Sequence, residues 1–252
     1  MGKFVRKQEV GTVKYEAVTK NSFDKVLKLT SILRFYKFTS IGPVQISETF
    51  YDTPADLLFK SGIILSRVQE GHRVYFKVEQ SAYFSKKFKH STTKFFVHKV
   101  GARDSIQDHA FYLVDGIRGL YSTAFSIDLE NVIKHAVPKV VIQTNANVYK
   151  VISGTGFRCY MAHEEILYKN FTTKKKYKSQ GMTIKHLGPE QYMQEFDDFN
   201  NNVVKYCKDF MVIHDDVYEH ALNVTKKIEV PKLTKEEKKK KKELEKKKAA
   251  IK

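Results

Sequence analysis

Two runs of alternating apolar and polar residues, joined by a turn at Glu70-Gly71, constrain the fold of this chain more than any other feature. The first run is IILSRVQ, residues 63–69, and the second is RVYFKVEQ, residues 73–80. Such alternation is typical of strands that bury one face, and a short connection that contains glycine suits a tight turn. The segment therefore predicts a β-hairpin.

Further signals predict that the hairpin belongs to a larger sheet. Gly42-Pro43 is expected to break the chain, and a strand then follows up to a turn at Asp52-Thr53-Pro54, because the residue before proline disfavours the helical region. Gly154-Thr155-Gly156 is expected to link two later strands. The predicted strands outside the hairpin cover residues 11–20, 44–52, 139–153, 156–170 and 177–187.

Helical patterns occur between and after these strands. Asn21 or Ser22 can cap an early helix, and Pro189 suits the first turn of a later one. The predicted helices cover residues 23–35, 55–62, 109–122, 188–210 and 213–227. The order of strand, helix, several strands and then helices favours an α+β domain that is built on one antiparallel sheet, with helices packed outside it.

Composition indicates a folded protein in a reducing compartment. The 252 residues suit one large domain or two small ones, and 42% of them are hydrophobic, which is ordinary for a folded chain. No apolar run approaches the ~20 residues that cross a bilayer, and the first residues are too polar for a secretory signal. Cys159 and Cys207 lack metal-type spacing and are expected to be ordinary thiols. These features predict a cytoplasmic protein without a transmembrane segment.

The formal net charge of +17 predicts a polyanionic partner. Residues 226–252 contain 13 Lys and 5 Glu, so this tail contributes +8 and the rest of the chain +9. We interpret the tail as a solvated Lys/Glu helix or frayed end in preference to a polyanion-binding arm. A second basic cluster at residues 172–181 includes Tyr177, and a solvated loop is favoured there over a nucleic-acid patch.

The segment FYDTPADLLFKSGIILSR, residues 50–67, resembles a sequence block of the CYTH, or triphosphate-tunnel, superfamily, which includes polyphosphate-polymerase relatives. The order and the spacing of its residues both match. The segment VYFK, residues 74–77, is similar to the family's strand that ends in lysine, and residues 138–170 resemble its second-half hairpin. The matching positions of the block are Asp52, Thr53, Pro54, Leu58, Lys60, Gly62 and Leu65.

The resemblance implies a closed, eight-stranded antiparallel β-tunnel with helices packed outside it and a C-terminal helical region. It divides the chain into a tunnel domain at 1–210, a C-terminal helix at 211–230 and a Lys/Glu-rich tail at 231–252. A barrel of about eight strands has a lumen wide enough for one slim ligand, and strand side chains alternate between lumen and exterior. Cations on neighbouring strands could therefore converge on one anionic guest.

The ligand that the resemblance implies is a phosphorylated anion, such as triphosphate, a nucleotide or polyphosphate, held inside a basic tunnel. If the protein is active, the implied reaction is phosphoanhydride hydrolysis or transfer that depends on Mg²⁺ or Mn²⁺. The residues implied for phosphate binding are Lys20, Lys77, Arg158 and Arg67, and those implied for the metal are Glu16, Glu79 and Glu165.

The sequence also departs from the family pattern. Val18 stands where the family has the second carboxylate of its Glu-x-Glu-x-Lys strand. Ser66 and Val68 stand in place of the family's Arg-x-Arg, and Arg67 between them points to the opposite side of the strand. These departures favour binding over catalysis. The alternative is a catalytically inactive binding or scaffold protein that contacts nucleic acid or an anionic surface through its basic face and tail.

Overall fold

The structure is a computed structural model that describes residues 5–9, 11–18, 28–29, 31–81, 93–121 and 125–226. The strands within these ranges are β1 Val5–Glu9, β2 Thr12–Ala17, β3 Tyr36–Asp52, β4 Ile63–Glu70, β5 Arg73–Gln80, β6 Thr93–Lys99, β7 Val137–Ser153, β8 Arg158–Asn170, β9 Lys176–His186 and β10 Phe210–Val212. The α-helices are α1 Leu57–Lys60, α2 Ala110–Leu120, α3 Leu129–Lys134, α4 Met193–Tyr206 and α5 Val217–Val224.

All ten strands belong to one antiparallel sheet, in the order β1-β6-β5-β4-β3-β7-β8-β9-β2-β10. The predicted α+β class and antiparallel sheet are therefore confirmed, and the predicted hairpin is β4 and β5, in which Gln69 lies opposite Val74. The strand number differs from the predicted eight. Within the described ranges, pairing runs from β1 at one edge to β10 at the other, and no pair joins these two edges.

Strand β3 is longer than predicted because a bulge absorbs the expected break. It runs through Gly42-Pro43, and its register with β7 shifts between Ser40 and Gly42. Gly42 has a φ of +115°, a conformation that residues with a Cβ rarely adopt. The prediction that Gly42-Pro43 breaks the chain is wrong, since the bulge keeps both residues within the strand.

Three other elements differ from the sequence predictions. Most of the helix predicted over 23–35 lies outside the described residues. Within this range, the described residues 28–29 and 31–32 are helical. The helix predicted over 188–210 ends earlier, as α4, and Phe210 begins the short strand β10 beside β2. The segment from 81 to 128, for which the sequence predicted only a helix, also contributes β6.

The Tyr-Asp-Thr-Pro block forms the turn that leads into α1. The Asp52 carboxylate accepts hydrogen bonds from the backbone N–H groups of Thr53, Leu58 and Phe59 at 2.7, 2.9 and 2.9 Å. The last two belong to the first turn of the helix, where N–H groups lack partners within the helix. Burial raises the pKa of Asp52 above its ordinary value despite these three donors. Asp52 therefore has a structural role at this turn.

Helices cover one face of the sheet, the outer face, in two separate clusters. α2 and α3 pack on β4, β5 and β6 through residues such as Leu65 and Phe76. α4 packs on β2, β8 and β9 through Tyr15, Met161 and Ile184. Because side chains alternate along a strand, the residues between these point to the opposite, inner face. None of the helices in the described ranges is long and apolar enough to cross a bilayer.

α5 packs on the inner face. Tyr218 and Ala221 of this helix belong to one buried cluster with Phe50, Val140 and Tyr168, which come from β3, β7 and β8. The rings of Tyr218 and Phe50 are stacked, with their centroids 5.3 Å apart. The C-terminal helix is thus part of the domain core.

The sheet curls around α5. Asp216, just before this helix, accepts a hydrogen bond from Ser81, which follows β5, and Nε2 of His220 lies 3.2 Å from Oε2 of Glu16 in β2. Strands β5 and β2 are six positions apart, which is roughly 29 Å in a flat sheet. A helix of 8 residues is only about 12 Å long. Both strands can therefore reach it only because the inner face is concave.

Candidate functional site

The concave inner face carries charged side chains of both signs. These side chains are assigned to the inner face because, along each strand, they alternate with residues that pack against the outer-face helices. The contacts that they form with one another agree with this assignment. The charged residues on the central part of this face include Lys14, Glu16, Glu48, Lys77, Glu79 and Glu164. Four of these six are carboxylates, and the same alternation places further cations on this face nearer the strand ends, at Arg73, Lys99, Lys150, Arg158 and Lys185.

Lys77 forms the centre of this group. Its Nζ lies 2.8 Å from Oε1 of Glu48 and 3.0 Å from Oε2 of Glu79. Oε1 of Glu48 also accepts a hydrogen bond of 2.7 Å from the hydroxyl of Ser66. Only 19% of the Lys77 side chain and 16% of that of Glu48 are exposed, so water screens this pair weakly.

The pKa values of the pair reflect this contact. Burial raises the pKa of Glu48, but the nearby Lys77 ammonium outweighs burial and holds that pKa below its ordinary value. Burial lowers the pKa of Lys77, and the two carboxylates more than reverse this and raise it. Each partner therefore stabilises the charged form of the other, and the Lys77 charge is already neutralised within the protein.

Glu16 contacts α5. Its Oε1 accepts a 2.6 Å hydrogen bond from the hydroxyl of Ser179, and its Oε2 faces the ring of His220. Burial raises the pKa of Glu16, but the interactions with His220 and Ser179 prevail and bring it below its ordinary value. The carboxylate is thereby held in its ionised form at the junction of β2, β9 and α5.

Glu164 and Lys14 lie further along the same face. Burial raises the pKa of Glu164, and the attraction of Lys14 and a 3.1 Å hydrogen bond from Thr183 only reduce this effect. Lys14 also attracts Glu48, which is on β3, four strands away in the sheet. An interaction across four strands is a second sign that the inner face is concave.

The structure places the residues predicted for phosphate binding on both faces. Lys77 lies on the inner face, whereas Arg67 lies on the outer face and donates a 2.6 Å hydrogen bond to the carbonyl of Ala102. Arg158 is exposed at the first position of β8 and, because it alternates with the outer-face residue Cys159, lies on the inner face as Lys77 does. Lys20 lies outside the described residues. Of the three that the structure describes, Lys77 and Arg158 therefore share a face and Arg67 does not.

The residues predicted for the metal form no common cluster in the part of the chain that the structure describes. Glu79 is paired with Lys77, Glu16 contacts Ser179 and His220, and Glu165 is exposed on the opposite face from Glu164. A hard divalent cation needs several oxygen ligands. The described residues contain no group of three His, Cys, Asp or Glu side chains that could hold a metal ion. The donor set therefore does not fit Mg²⁺ or Mn²⁺.

Sequence reasoning missed three residues of this face. Lys14 lies two residues before Glu16, so alternation alone could have placed both on one side of β2. Glu48 lies within a predicted strand, but no motif marks it. His220 could not have been found, because nothing in a helical pattern shows that α5 packs inside a curled sheet.

Comparisons with known proteins identify the fold. No family model matches the sequence, and no curated protein matches it. A solved protein from Hippeastrum, described as a putative adenylyl cyclase with a dominant triphosphatase activity, matches 86% of this chain and 97% of its own, at 10% identity and a TM-score of 0.52. PH1819 from Pyrococcus horikoshii OT3 matches 85% and 99%, at 10% identity and a TM-score of 0.48. A putative adenylate cyclase from Bacillus halodurans matches 84% and 97%, at 12% identity and a TM-score of 0.48.

The likeness to the Hippeastrum protein shows a shared fold. The CYTH-like fold that the resemblance of residues 50–67 implied is thereby confirmed. At this level of identity, a shared fold does not carry an activity from one protein to another. Function has to be argued from the residues of this chain.

Proposed function

We propose that this chain is a non-catalytic binding protein that uses the fold to present a basic exterior to a polyanion such as nucleic acid. The contact of Lys77 with both Glu48 and Glu79 carries this proposal. A phosphate could use Lys77 only after displacing two carboxylates from a weakly screened site. Those carboxylates would then repel the incoming anion.

Three further features support the proposal. Ser66 and Val68 occupy the positions of the family's two arginines on the inner face, so neither supplies a cation there. α5 covers part of the same face. Outside the tail, the chain still has a net charge of +9, although the described centre of the inner face is rich in carboxylates. Part of the excess positive charge lies on the outer face, at Arg67, Lys169, Lys176 and Lys178.

A second candidate is a small phosphorylated anion bound on the inner face, as the sequence predicted. Lys14 favours it, because this lysine lies on the inner face and forms no ion pair with any of the described residues. A closed tunnel would strengthen this candidate. Its weakness is that Lys14 is attracted to Glu48 and Glu164, which an anion would have to outcompete.

A measurement of phosphate release distinguishes an enzyme from a binding protein. We expect no turnover of tripolyphosphate with Mg²⁺ or Mn²⁺, in the wild type or in Lys77→Met. Release by the wild type that disappears in Lys77→Met would overturn the non-catalytic proposal and restore the predicted phosphohydrolase.

Binding of a polyanion tests the other half of the proposal. We expect the full chain to bind a labelled single-stranded oligonucleotide with an affinity that falls steeply with salt, because binding releases counterions. A chain that ends at Val230 should bind more weakly and keep the same melting temperature. Failure of the full chain to bind at 50 mM salt would contradict the proposal.

A further inference from the structure

A large groove crosses the outer face of the sheet in the region between the two helix clusters. It encloses about 1010 Å³ and extends across six strands from β4 to β2. Two rows of lining residues run across the strands at positions that alternate with Glu48 and Glu164. Because successive side chains of a strand point to opposite faces, both rows lie on the face opposite to those carboxylates. We call it the outer groove and define it by Gln45, Gln69, Gln143, Asn145, Lys178 and Gln180.

Five of these six residues are carboxamides. Each carboxamide can donate and accept hydrogen bonds at the same time. Among the described residues, the side-chain hydrogen bonds of these five are limited to one, from Nζ of Lys169 to Oε1 of Gln143 at 2.7 Å. Oε1 of Gln180 is buried and has no partner within that part of the chain. The groove therefore offers unused donors and acceptors on the surface of the sheet.

One lysine, Lys178, lines the groove, and two more lie beside it on the same face of the sheet. Lys169 lies directly opposite Lys176 in the β8–β9 ladder, and Lys178 is the next residue on the same face of β9. Like charges directly opposite one another destabilise a sheet. None of these three lysines has an acidic partner among the residues that the structure describes. A polyanion in the groove would relieve this repulsion.

We propose that the outer groove binds a single-stranded polynucleotide. This inference rests on the proposed polyanion-binding function and assigns it a site. Lys169, Lys176 and Lys178 bind phosphates, and the carboxamides of Gln143 and Gln180 bind base edges or sugar hydroxyls. The six strands span about 24 Å, so the site covers about four nucleotides, at the lower end of the range for single-strand-binding folds.

The carboxamides favour a polynucleotide over a plain phosphate chain. Phosphate oxygens only accept hydrogen bonds, so a polyphosphate would leave the carbonyl oxygen of each carboxamide without a donor. Base edges present donors and acceptors together, which is why Asn and Gln recognise them in pairs. Glu165, the carboxylate in the described lining, can likewise accept from an amino group and would repel a phosphate.

Fluorescence anisotropy with a labelled 12-nucleotide single strand of mixed sequence tests the site in the full chain. In Lys176→Gln/Lys178→Gln, the slope of log K against log salt should decrease by about 1.4, because two phosphate contacts are lost. In Gln143→Ala/Gln180→Ala, affinity should fall about tenfold with an unchanged slope. The matched control is Lys205→Gln/Lys208→Gln, which removes two exposed lysines near the end of α4 and should bind as the wild type does.

The two proposals fail in different ways. If the wild type does not bind the strand, the polyanion-binding function fails and the groove assignment fails with it. If the wild type binds but both groove variants bind equally well, the function stands and the groove is the wrong site. If unlabelled long-chain polyphosphate competes as well as unlabelled strand per phosphate, and the Gln variant binds normally, the groove recognises charge alone and the polynucleotide assignment is overturned.

Discussion

Lys77 determines the electrostatic balance of the inner face. In Lys77→Met, Glu48 and Glu79 lose their common partner, while both side chains remain mostly buried. We expect the free energy of unfolding to fall by about 3 kcal/mol at pH 7, the lower end of the range for breaking a buried pair, because the group is partly exposed. Urea denaturation measures this change, and Lys94→Met, at an exposed position of β6, is the control.

The pH dependence of the stability of Lys77→Met tests the coupling between Lys77 and Glu48. The pKa of Glu48 is lowered in the folded protein, so its contribution to stability is present above the unfolded-state pKa and is lost as pH falls through the lower, folded-state pKa. Without Lys77, burial is opposed only by the Ser66 hydrogen bond and the attraction of Lys14, so this acid-side loss should become smaller. Adding Glu48→Gln to Lys77→Met should recover part of the lost stability. No recovery would show that the pair is not coupled.

Glu164 presents the opposite case, because burial raises its pKa. A carboxyl of this kind favours its neutral form in the folded state, so stability falls as pH rises from the unfolded-state pKa to the higher folded-state pKa. We expect Glu164→Gln to raise the melting temperature at pH 7, with the gain vanishing at pH 3.5. The matched control is Glu165→Gln, which changes the exposed neighbour on the other face. A melting temperature that is lower for Glu164→Gln than for this control would contradict the assignment.

At the residue scale, the sequence predicted which positions face which way better than it predicted what they do. Alternation correctly put Ser66 and Val68 on one side of β4 and Arg67 on the other. Alternation could not show that Lys77 is paired with Glu48. Glu48 lies 18 residues before Ser66, on a different strand, and reaches Ser66 and Lys77 only in the folded sheet. Pairing across strands depends on register, which a single strand pattern leaves open.

At the scale of elements, the packing of α5 on the inner face can be tested through one residue, Tyr218. Tyr218 stacks on Phe50 and meets the edge of Phe59 at a centroid distance of 5.4 Å, yet its buried hydroxyl has no partner among the described residues. Tyr218→Ala should cost about 3–5 kcal/mol of unfolding free energy, as large aromatic deletions do. Tyr218→Phe keeps the ring, removes an unsatisfied polar atom and should be neutral or slightly stabilising.

The two Tyr218 variants separate packing from polarity in one chemical denaturation series. A loss of several kcal/mol in Tyr218→Phe would show that the hydroxyl has an essential partner. An unchanged stability in Tyr218→Ala would show that α5 does not pack on the inner face.

Contact between α2 and the sheet depends on a glycine. A Cβ at Gly116 would lie 2.2 Å from the ring of Phe96, so the helix can approach β6 this closely only without a side chain at that position. Alanine favours a helix by about 1 kcal/mol over glycine, but overpacking a core typically costs about 1–3 kcal/mol. We therefore expect Gly116→Ala to lower the melting temperature. Gly154→Ala, where nothing lies within 4 Å of the new Cβ, should leave it nearly unchanged and serves as the control.

Elements with strong local sequence signals were predicted well, but the positions of elements within the folded sheet were not. The alternation around Glu70-Gly71 and the Tyr-Asp-Thr-Pro turn depend on neighbouring residues, and both are present as expected. The path of β3 through Gly42-Pro43 depends on its pairing with β7, more than ninety residues later, and local propensity missed it. An apolar helix face likewise requires burial without specifying which surface of the sheet buries it.

At the scale of the whole molecule, the curvature of the sheet separates two chemical environments. The inner face holds paired charges and α5, while the outer face holds two helix clusters and the outer groove. Curvature arises from the twist and bulges of many strands together, so no single segment of the sequence encodes it. The sequence resemblance supplied the fold, and the structure was needed to show which face has charges available for a partner.

The central claim is that the inner face is occupied by its own charges and that ligands bind outside it. Thermal unfolding with increasing tripolyphosphate and Mg²⁺, against sodium sulfate at equal ionic strength, tests it most directly, since a true ligand stabilises by RT ln(1 + [L]/Kd), about 2.7 kcal/mol at 100 times Kd. We expect a saturable rise in melting temperature with a single-stranded 12-mer and no rise with tripolyphosphate beyond that of sulfate. A saturable rise with tripolyphosphate that Lys77→Met abolishes would contradict it.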